Sequence, residues 1–197
     1  MIKARRHRVC TVPGMSQTGL VVLLAALAAH GHQAREVRAE QAAERAQVGC
    51  MAEALYYEAR GEGQSGQEAV AEVILQRVRS GAHPGTVCGV VHEPGQFSYV
   101  TDGSTKRPRD QDSWHSAKEL AARIVRGELV TSLTRRALFY HQVDIQPAWA
   151  AEMIRTAVIG NHVFYRLPGA RERQQLAEFR ALVQPQTTTA PAKSGDA

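Results

Sequence analysis

Apolar residues recur at helical spacing in three stretches of this chain. Met51, Ala54, Leu55 and Ala59 mark one face of a helix over 51–60, which Gly61 and Gly63 stop. Ser65 and Glu68 form a Ser-x-x-Glu capping box ahead of a second helix with Val70, Val73, Ile74 and Val78 on its buried face, ended by Ser80-Gly81. A third helix runs from Ser113 to Arg126, with Trp114, Ala117, Leu120, Ala121, Ile124 and Val125 inward and Gly127 as terminator. Between the second and third lies a Pro- and Gly-rich loop over 82–112, with Thr86 to Val91 as a strand or loop within it. Arg136 to His141 and Thr156 to Arg166 have the composition of strands, and Gly160-Asn161 suits a two-residue hairpin turn. The pattern predicts an α+β, mainly helical single domain with a small antiparallel sheet.

The ends of the chain differ from this middle. Lys3, Arg5, Arg6 and Arg8 precede an apolar run from Leu20 to Ala29, with no acid before Glu36. This is the pattern of a signal peptide over 1–29, since a run of about ten residues is half of what a membrane-spanning helix needs. Cleavage fits after Ala28 or near Ala34, and an uncleaved anchor is the alternative. Residues 30–47, rich in Ala, Gln, Glu and Arg, read as a linker or loose helix leading into a domain over 48–166. Leu176, Phe179, Leu182 and Val183 suggest an exposed amphipathic helix within 167–183, and the Pro-, Thr- and Ala-rich segment 184–197 reads as a disordered tail. The expected location is a bacterial periplasm or cell envelope, with no stable membrane span after signal cleavage.

Export changes the meaning of the charge. The net +5 owes most of its excess to the four basic residues of the N-terminal segment, whereas residues 50–166 carry 13 Lys plus Arg and 13 Asp plus Glu. A neutral domain without a broad basic stripe argues against nucleic acid as a partner. Of the three cysteines, Cys10 lies in the segment expected to be removed, which leaves Cys50 and Cys88 as an even pair in an exported chain. A disulfide between them is expected, with two buried thiols as the alternative. Neither cysteine belongs to a Cys-x-x-Cys pair, so they do not read as metal ligands.

The candidate chemistry centres on Glu58. It falls in the last turn of the first helix, beside Tyr56 and Tyr57, where the negative end of the helix dipole and exclusion of water both favour the protonated carboxyl. A carboxyl held neutral near physiological pH is what general acid cleavage of a glycosidic bond requires. A Glu in such a position is otherwise a solvated surface residue.

Longer segments bear on that choice. Cys50-Met-Ala-Glu-Ala-Leu-Tyr-Tyr-Glu58-Ala-Arg-Gly-Glu62, Gly66 to Ala71, Val73 to Val78, Thr86 to Val91 and Gln96-Phe97-Ser98 occur in this order. Tyr140-His141, Pro147-Ala148-Trp149-Ala150 and Ile159 to Arg166 follow. Together they resemble the cell-wall hydrolases related to the spore cortex-lytic enzyme SleB, from about residue 48 to 166. The resemblance implies a lysozyme-like or lytic-transglycosylase-like domain that cleaves peptidoglycan glycan strands between N-acetylmuramic acid and N-acetylglucosamine, with Glu58 as the catalytic acid and no cofactor or metal. Sugar-binding candidates are Tyr57, Gln96, Phe97, Ser98, Tyr140, His141 and Trp149, with Phe97 and Trp149 also suited to a core. Strand alternation lets only one of Tyr140 and His141 face a cleft.

Three other readings remain at this level. A muramidase-type hydrolase needs a second carboxylate. Among the candidates, Glu62 lies beyond the Gly61 break and suits pairing with Arg60, Glu68 is engaged in the capping box, Glu72 falls on the polar side of its helix, and Asp102 is the least excluded. A zinc amidase would draw on His92, His115, His141 and His162, although no pair of them has the spacing of two ligands on one helix face. His162 after Gly160-Asn161 otherwise reads as a turn-stabilising residue. The third is a peptidoglycan-binding protein without turnover.

Overall fold

The computed structural model describes residues 17–101 and 107–183. The basic start of the expected signal peptide, Asp102 and the tail 184–197 lie outside the described residues. The chain divides after Arg45 into two units, and the second, residues 46–197, contains the sheet and every helix after the first. Helix α1 spans Gln17–Ala59 and supplies that unit with its final turns. Residues 30–47, expected as a linker or loose helix, belong to α1. Ala, Gln, Glu and Arg are strong helix formers, so the missing apolar period removed the sign of burial without removing the helix.

Helix α2 (Gly63–Ser80) starts immediately after the Gly61 break and ends on Gly81, whose φ of 71° is the left-handed C-cap conformation. The expected capping box does not form. Glu62 occupies the N-cap without a side-chain cap bond, Ser65 is already inside the helix, and Glu68 accepts instead from Gln64 Nε2 at 2.7 Å. The loop expected over 82–112 contains two short helices, α3 (Val87–Val91) and α4 (Ser98–Thr101). The expected strand or loop at Thr86–Val91 is therefore corrected to a helix. Its start is fixed by Thr86, whose hydroxyl accepts from Gly89 N at 3.0 Å. Helix α5 (Gln111–Val125) is capped by Asp110, which accepts from Ser113 N at 3.0 Å.

Three strands follow: β1 (Phe139–Gln142), β2 (Ile154–Ile159) and β3 (His162–Arg166). They form one antiparallel sheet in the order β1-β3-β2, and a 3-10 turn at Ala148–Glu152 precedes β2. The chain continues into α6 (Ala170–Val183), where Phe179 is exposed.

Two apolar clusters meet on α2. Met51, Leu55, Tyr56 and Ala59 of α1 pack with Val70, Ala71 and Ile74 of α2, with Val87, Val90 and Val91 of α3, and with Ala117, Leu120, Ala121 and Ile124 of α5. The other side of α2 presents Ala69 and Val73 to Ala137 and Phe164 of the sheet region. The helices and the sheet thus share α2 as a common wall.

A disulfide joins Cys50 of α1 to Cys88 of α3 across 38 residues. In the chain-entropy account, closing a loop of that length restricts the unfolded chain by about 3 to 4 kcal/mol. Replacing both cysteines by alanine is expected to lower the unfolding free energy by about that amount in urea titrations; a change below about 1 kcal/mol would contradict the account.

Candidate active site

Glu58 occupies the penultimate position of α1 and opens onto a cavity of about 330 Å³. Two segments distant in sequence complete the walls. The loop between α3 and α4 contributes Gln96 and Phe97, the first residue of α4 contributes Ser98, and the sheet contributes Tyr140, Gln142 and His162. The strand register explains why these sheet residues meet. Tyr140 stands opposite Phe164 and Gln142 opposite His162, so all four project from the face turned toward α2.

The Tyr140 hydroxyl donates a hydrogen bond to the Glu58 carboxyl. Burial pushes Glu58 above the usual carboxylate range, and the Tyr140 hydrogen bond opposes that rise in part. Tyr140 itself is raised by burial and then by the neighbouring Glu58, so its hydroxyl remains a donor. The expected agents of desolvation, Tyr56 and Tyr57, are not in the cavity wall. Tyr56 is buried and its hydroxyl accepts from Arg60 Nη1, Arg109 N and Asp110 N at 3.0, 3.1 and 3.1 Å. Tyr57 stacks on Tyr99 with ring centroids 4.7 Å apart.

The remaining sequence candidates divide. Gln96 is half-buried and Ser98 exposed, and both line the cavity with polar groups free to face a ligand. Phe97 lines it too but is 1% exposed, so it combines the cleft position with the core role that its size also suited. His141 borders the cavity, yet its ring stacks on Tyr165 at 5.2 Å on the opposite face of the sheet, where Nε2 meets the Tyr165 hydroxyl at 3.0 Å. Trp149, expected in the cleft, packs on that opposite face against Phe139, His141 and Tyr165. The alternation argument therefore selects Tyr140 over His141.

Four lining residues were not among the sugar-binding candidates: Arg77, Gly95, Gln142 and His162, the last considered only as a zinc ligand or turn residue. Arg77 is buried, its Nε donates to Leu138 O at 2.8 Å, and its guanidinium carbon lies 5.9 Å from the centre of the Phe97 ring. Burial lowers its pKa, with the neighbouring Tyr140 and Glu93 acting in the other direction. His162 is buried, with its ring edge-to-face on Tyr140 at 5.1 Å. Burial lowers its pKa, opposed by Glu62 and assisted by His141, which favours the neutral imidazole. Gln142 and His162 were accessible to strand parity, because both follow from placing Tyr140 inward and pairing the two strands.

Among the described residues, no carboxylate besides Glu58 lines the cavity. Glu62 bonds Asn161 rather than Arg60. Glu72 is buried rather than solvated: its Oε2 accepts from Thr134 N at 3.1 Å and Thr131 Oγ1 at 3.3 Å. Of the four histidines considered for zinc, His141 and His162 border the cavity, whereas His92 lies near Glu53 at 3.4 Å and His115 near Glu119 at 3.1 Å, neither of them in its wall. A larger cavity of about 610 Å³ lies beside α2 and α5, but Gln64, Glu119 and Arg123 there are exposed, and nothing in its wall resembles the desolvated Glu58–Tyr140 pair.

A lysozyme-like helical domain with a small sheet and one half-buried carboxyl in its cleft is the class that fold and site define. Residues 61–165 match the family model described as Cell Wall Hydrolase, and the chain belongs to that family. Glu58 lies three residues before the matched range. The spore cortex-lytic enzyme of Bacillus cereus is 38% identical over 117 residues, which cover 58% of this chain and 42% of that protein. Its Bacillus subtilis counterpart is 34% identical over 117 residues, covering 58% and 35%. The chain thus spans about two fifths or less of the length of these curated relatives. The catalytic domain of Bacillus cereus SleB superimposes with a TM-score of 0.51 at 36% identity, covering 61% of this chain and 89% of that one. The catalytic domain of the germination-specific lytic transglycosylase SleB from Bacillus anthracis gives 0.51 and 36%, with 61% and 93% covered.

Because the folded Glu58 pKa is raised, the stability it contributes is full below the unfolded value of about 4.3 and is lost as pH rises through the folded value. Glu58→Gln, neutral throughout, is expected to melt above wild type at about pH 8 and level with it at about pH 4; an equal difference at both would contradict the sign. Removing the Tyr140 donor in Tyr140→Phe is expected to raise the Glu58 pKa further in a carboxyl-carbon NMR titration, and a downward shift would count against the hydrogen bond.

Proposed function

We propose that this domain is a lytic transglycosylase that cleaves peptidoglycan glycan strands between N-acetylmuramic acid and N-acetylglucosamine, with Glu58 as acid and then base. The observation that carries the reading is the desolvated, tyrosine-bonded Glu58 in a cleft where it is the one carboxyl among the described lining residues. The relatives named as spore cortex-lytic enzymes, and the solved domain titled a lytic transglycosylase, support it.

In the first step Glu58 gives its proton to the bridging oxygen as the bond to the anomeric carbon breaks, and Tyr140 donates to the carboxylate that forms. In the second, that carboxylate takes the proton of the muramic acid C6 hydroxyl while its oxygen bonds to the anomeric carbon. The product is a 1,6-anhydro end, with no water consumed and Glu58 reprotonated. Gln96 and Ser98 are suited to hydrogen-bonding sugar hydroxyl and acetamido groups, and Gln142 lines the opposite side. A substrate of the cell wall requires export, which accords with the basic and apolar N-terminal pattern; among the described residues no helix is long and apolar enough to cross a membrane.

Mass spectrometry of soluble products from purified peptidoglycan, with wild type beside Glu58→Gln, tests the proposal. The expected result is fragments ending in 1,6-anhydro-N-acetylmuramic acid that disappear with the variant. Reducing ends would replace transglycosylation by hydrolysis, cleaved peptide stems would revive the amidase, and binding without release would leave a non-catalytic protein.

A further inference from the structure

Glu62 has the position of an N-cap residue but does not serve its own helix. Its carboxylate reaches a turn 99 residues away: Oε2 accepts from Asn161 N at 2.6 Å and Oε1 from Asn161 Nδ2 at 3.3 Å. Its side chain is 11% exposed, well sheltered for a carboxylate near the surface. The preceding turn residue is shaped to receive it. A Cβ on Gly160 would stand 2.1 Å from Glu62 Oε2, and the φ of 57° at Gly160 disfavours any side chain. On the other side, a Cβ on Gly66 would stand 2.3 Å from the Glu62 Cβ, so the stem of the carboxylate is confined as well.

The residue after Asn161 is His162, whose Nδ1 lies 3.9 Å from Glu62 Oε2 and whose ring rests edge-on against Tyr140. From this chain of contacts we propose that Glu62 is a positioning residue for the Glu58–Tyr140 pair, acting through the β2–β3 turn. The proposal rests on the reading of Glu58 as the acid and adds what fixes its partner. One short segment of backbone carries both the acid and, four residues later, the clamp that sets where the sheet stands relative to that acid. Charge-assisted hydrogen bonds to a backbone N–H are short and directional, which suits this role better than a neutral contact. Misplacing a reacting group by about 1 Å costs up to about a hundredfold in rate.

The test is a double-mutant cycle on rates of soluble-fragment release, using the full chain with Glu62→Ala, Tyr140→Phe and both together. Glu62→Ala is expected to lower kcat about tenfold or more, with KM changed less than about twofold. In the Tyr140→Phe background the same change is expected to cost less than about twofold, because the two act as one unit. Glu62→Gln retains an acceptor for Asn161 N and is expected to recover most of the rate. Gly160→Ala keeps Glu62 but displaces its carboxylate, and is expected to reproduce the loss; it also serves where Glu62→Ala shows no cooperative melting transition. Additive losses in the cycle, or wild-type rates in Glu62→Ala or Gly160→Ala, would overturn the proposal. Glu58→Gln in parallel separates the two ideas: additivity with Glu58→Gln inactive defeats only the role of Glu62, whereas wild-type activity in Glu58→Gln defeats the acid assignment and this proposal with it.

Discussion

The anchoring of a very small sheet to α2 and to the corner before it is the constraint on which the rest of the domain depends. Three strands of four to six residues do not form a stable unit alone in water. The apolar contact with α2 is itself small, since Ala69, Val73, Ala137 and Phe164 make up its buried centre. Three polar ties supply the geometry that this contact lacks. Glu72 holds Thr131 and Thr134 in the turn before β1, Arg77 holds the carbonyl of Leu138 at its start, and Glu62 holds the β2–β3 turn. Buried charges contribute little net stability once desolvation is counted, but hydrogen bonds from fixed directions determine position. Positive φ at the consecutive residues Arg135 and Arg136 shows how tightly the chain is drawn between the Glu72 tie and β1.

That anchoring accounts for the electrostatics of the cleft. Glu58 belongs to the helical half and Tyr140 to the sheet, so their hydrogen bond exists only where the two halves are held in register. The surroundings are low in charge apart from Arg77, which stands behind Tyr140 with Glu93 near it, and Glu93 in turn bonds His83 Nδ1 at 2.7 Å. Burial raises both Glu58 and Tyr140, but the phenol begins several units higher, leaving the carboxyl as the group of the pair that titrates first.

The sequence carried the helical half plainly because the faces of α1, α2 and α5 repeat at 3.6 residues, as Leu55, Ile74 and Leu120 do. The strand composition also located the hairpin and its Gly160-Asn161 turn. It failed where the deciding contact was between distant segments. Thr86 to Val91 has β-branched composition, yet a threonine cap and burial beneath α1 make it helical. Glu62 and Glu72 look like solvated acids on any local view, because Asn161 and Thr134 are 99 and 62 residues away. Glu58 was singled out by its place at a helix end together with the family resemblance, but the side chain that meets it, Tyr140, could not be deduced from helix position.

The alternation of Tyr140 and His141 on β1 has a consequence for how the chain tolerates changes in length. Between Thr134, held by Glu72, and Phe139, the first residue of β1, the spacing sets which strand residues turn inward. One residue added or lost there would present Phe139 or His141 to Glu58 in place of the phenol, exchanging the two faces in a single step. The exposed stretch 143–146 after β1 carries no such parity. Insertions and deletions among homologous chains should therefore accumulate after β1 and be absent before it, so that a five-residue ruler keeps the phenol facing Glu58.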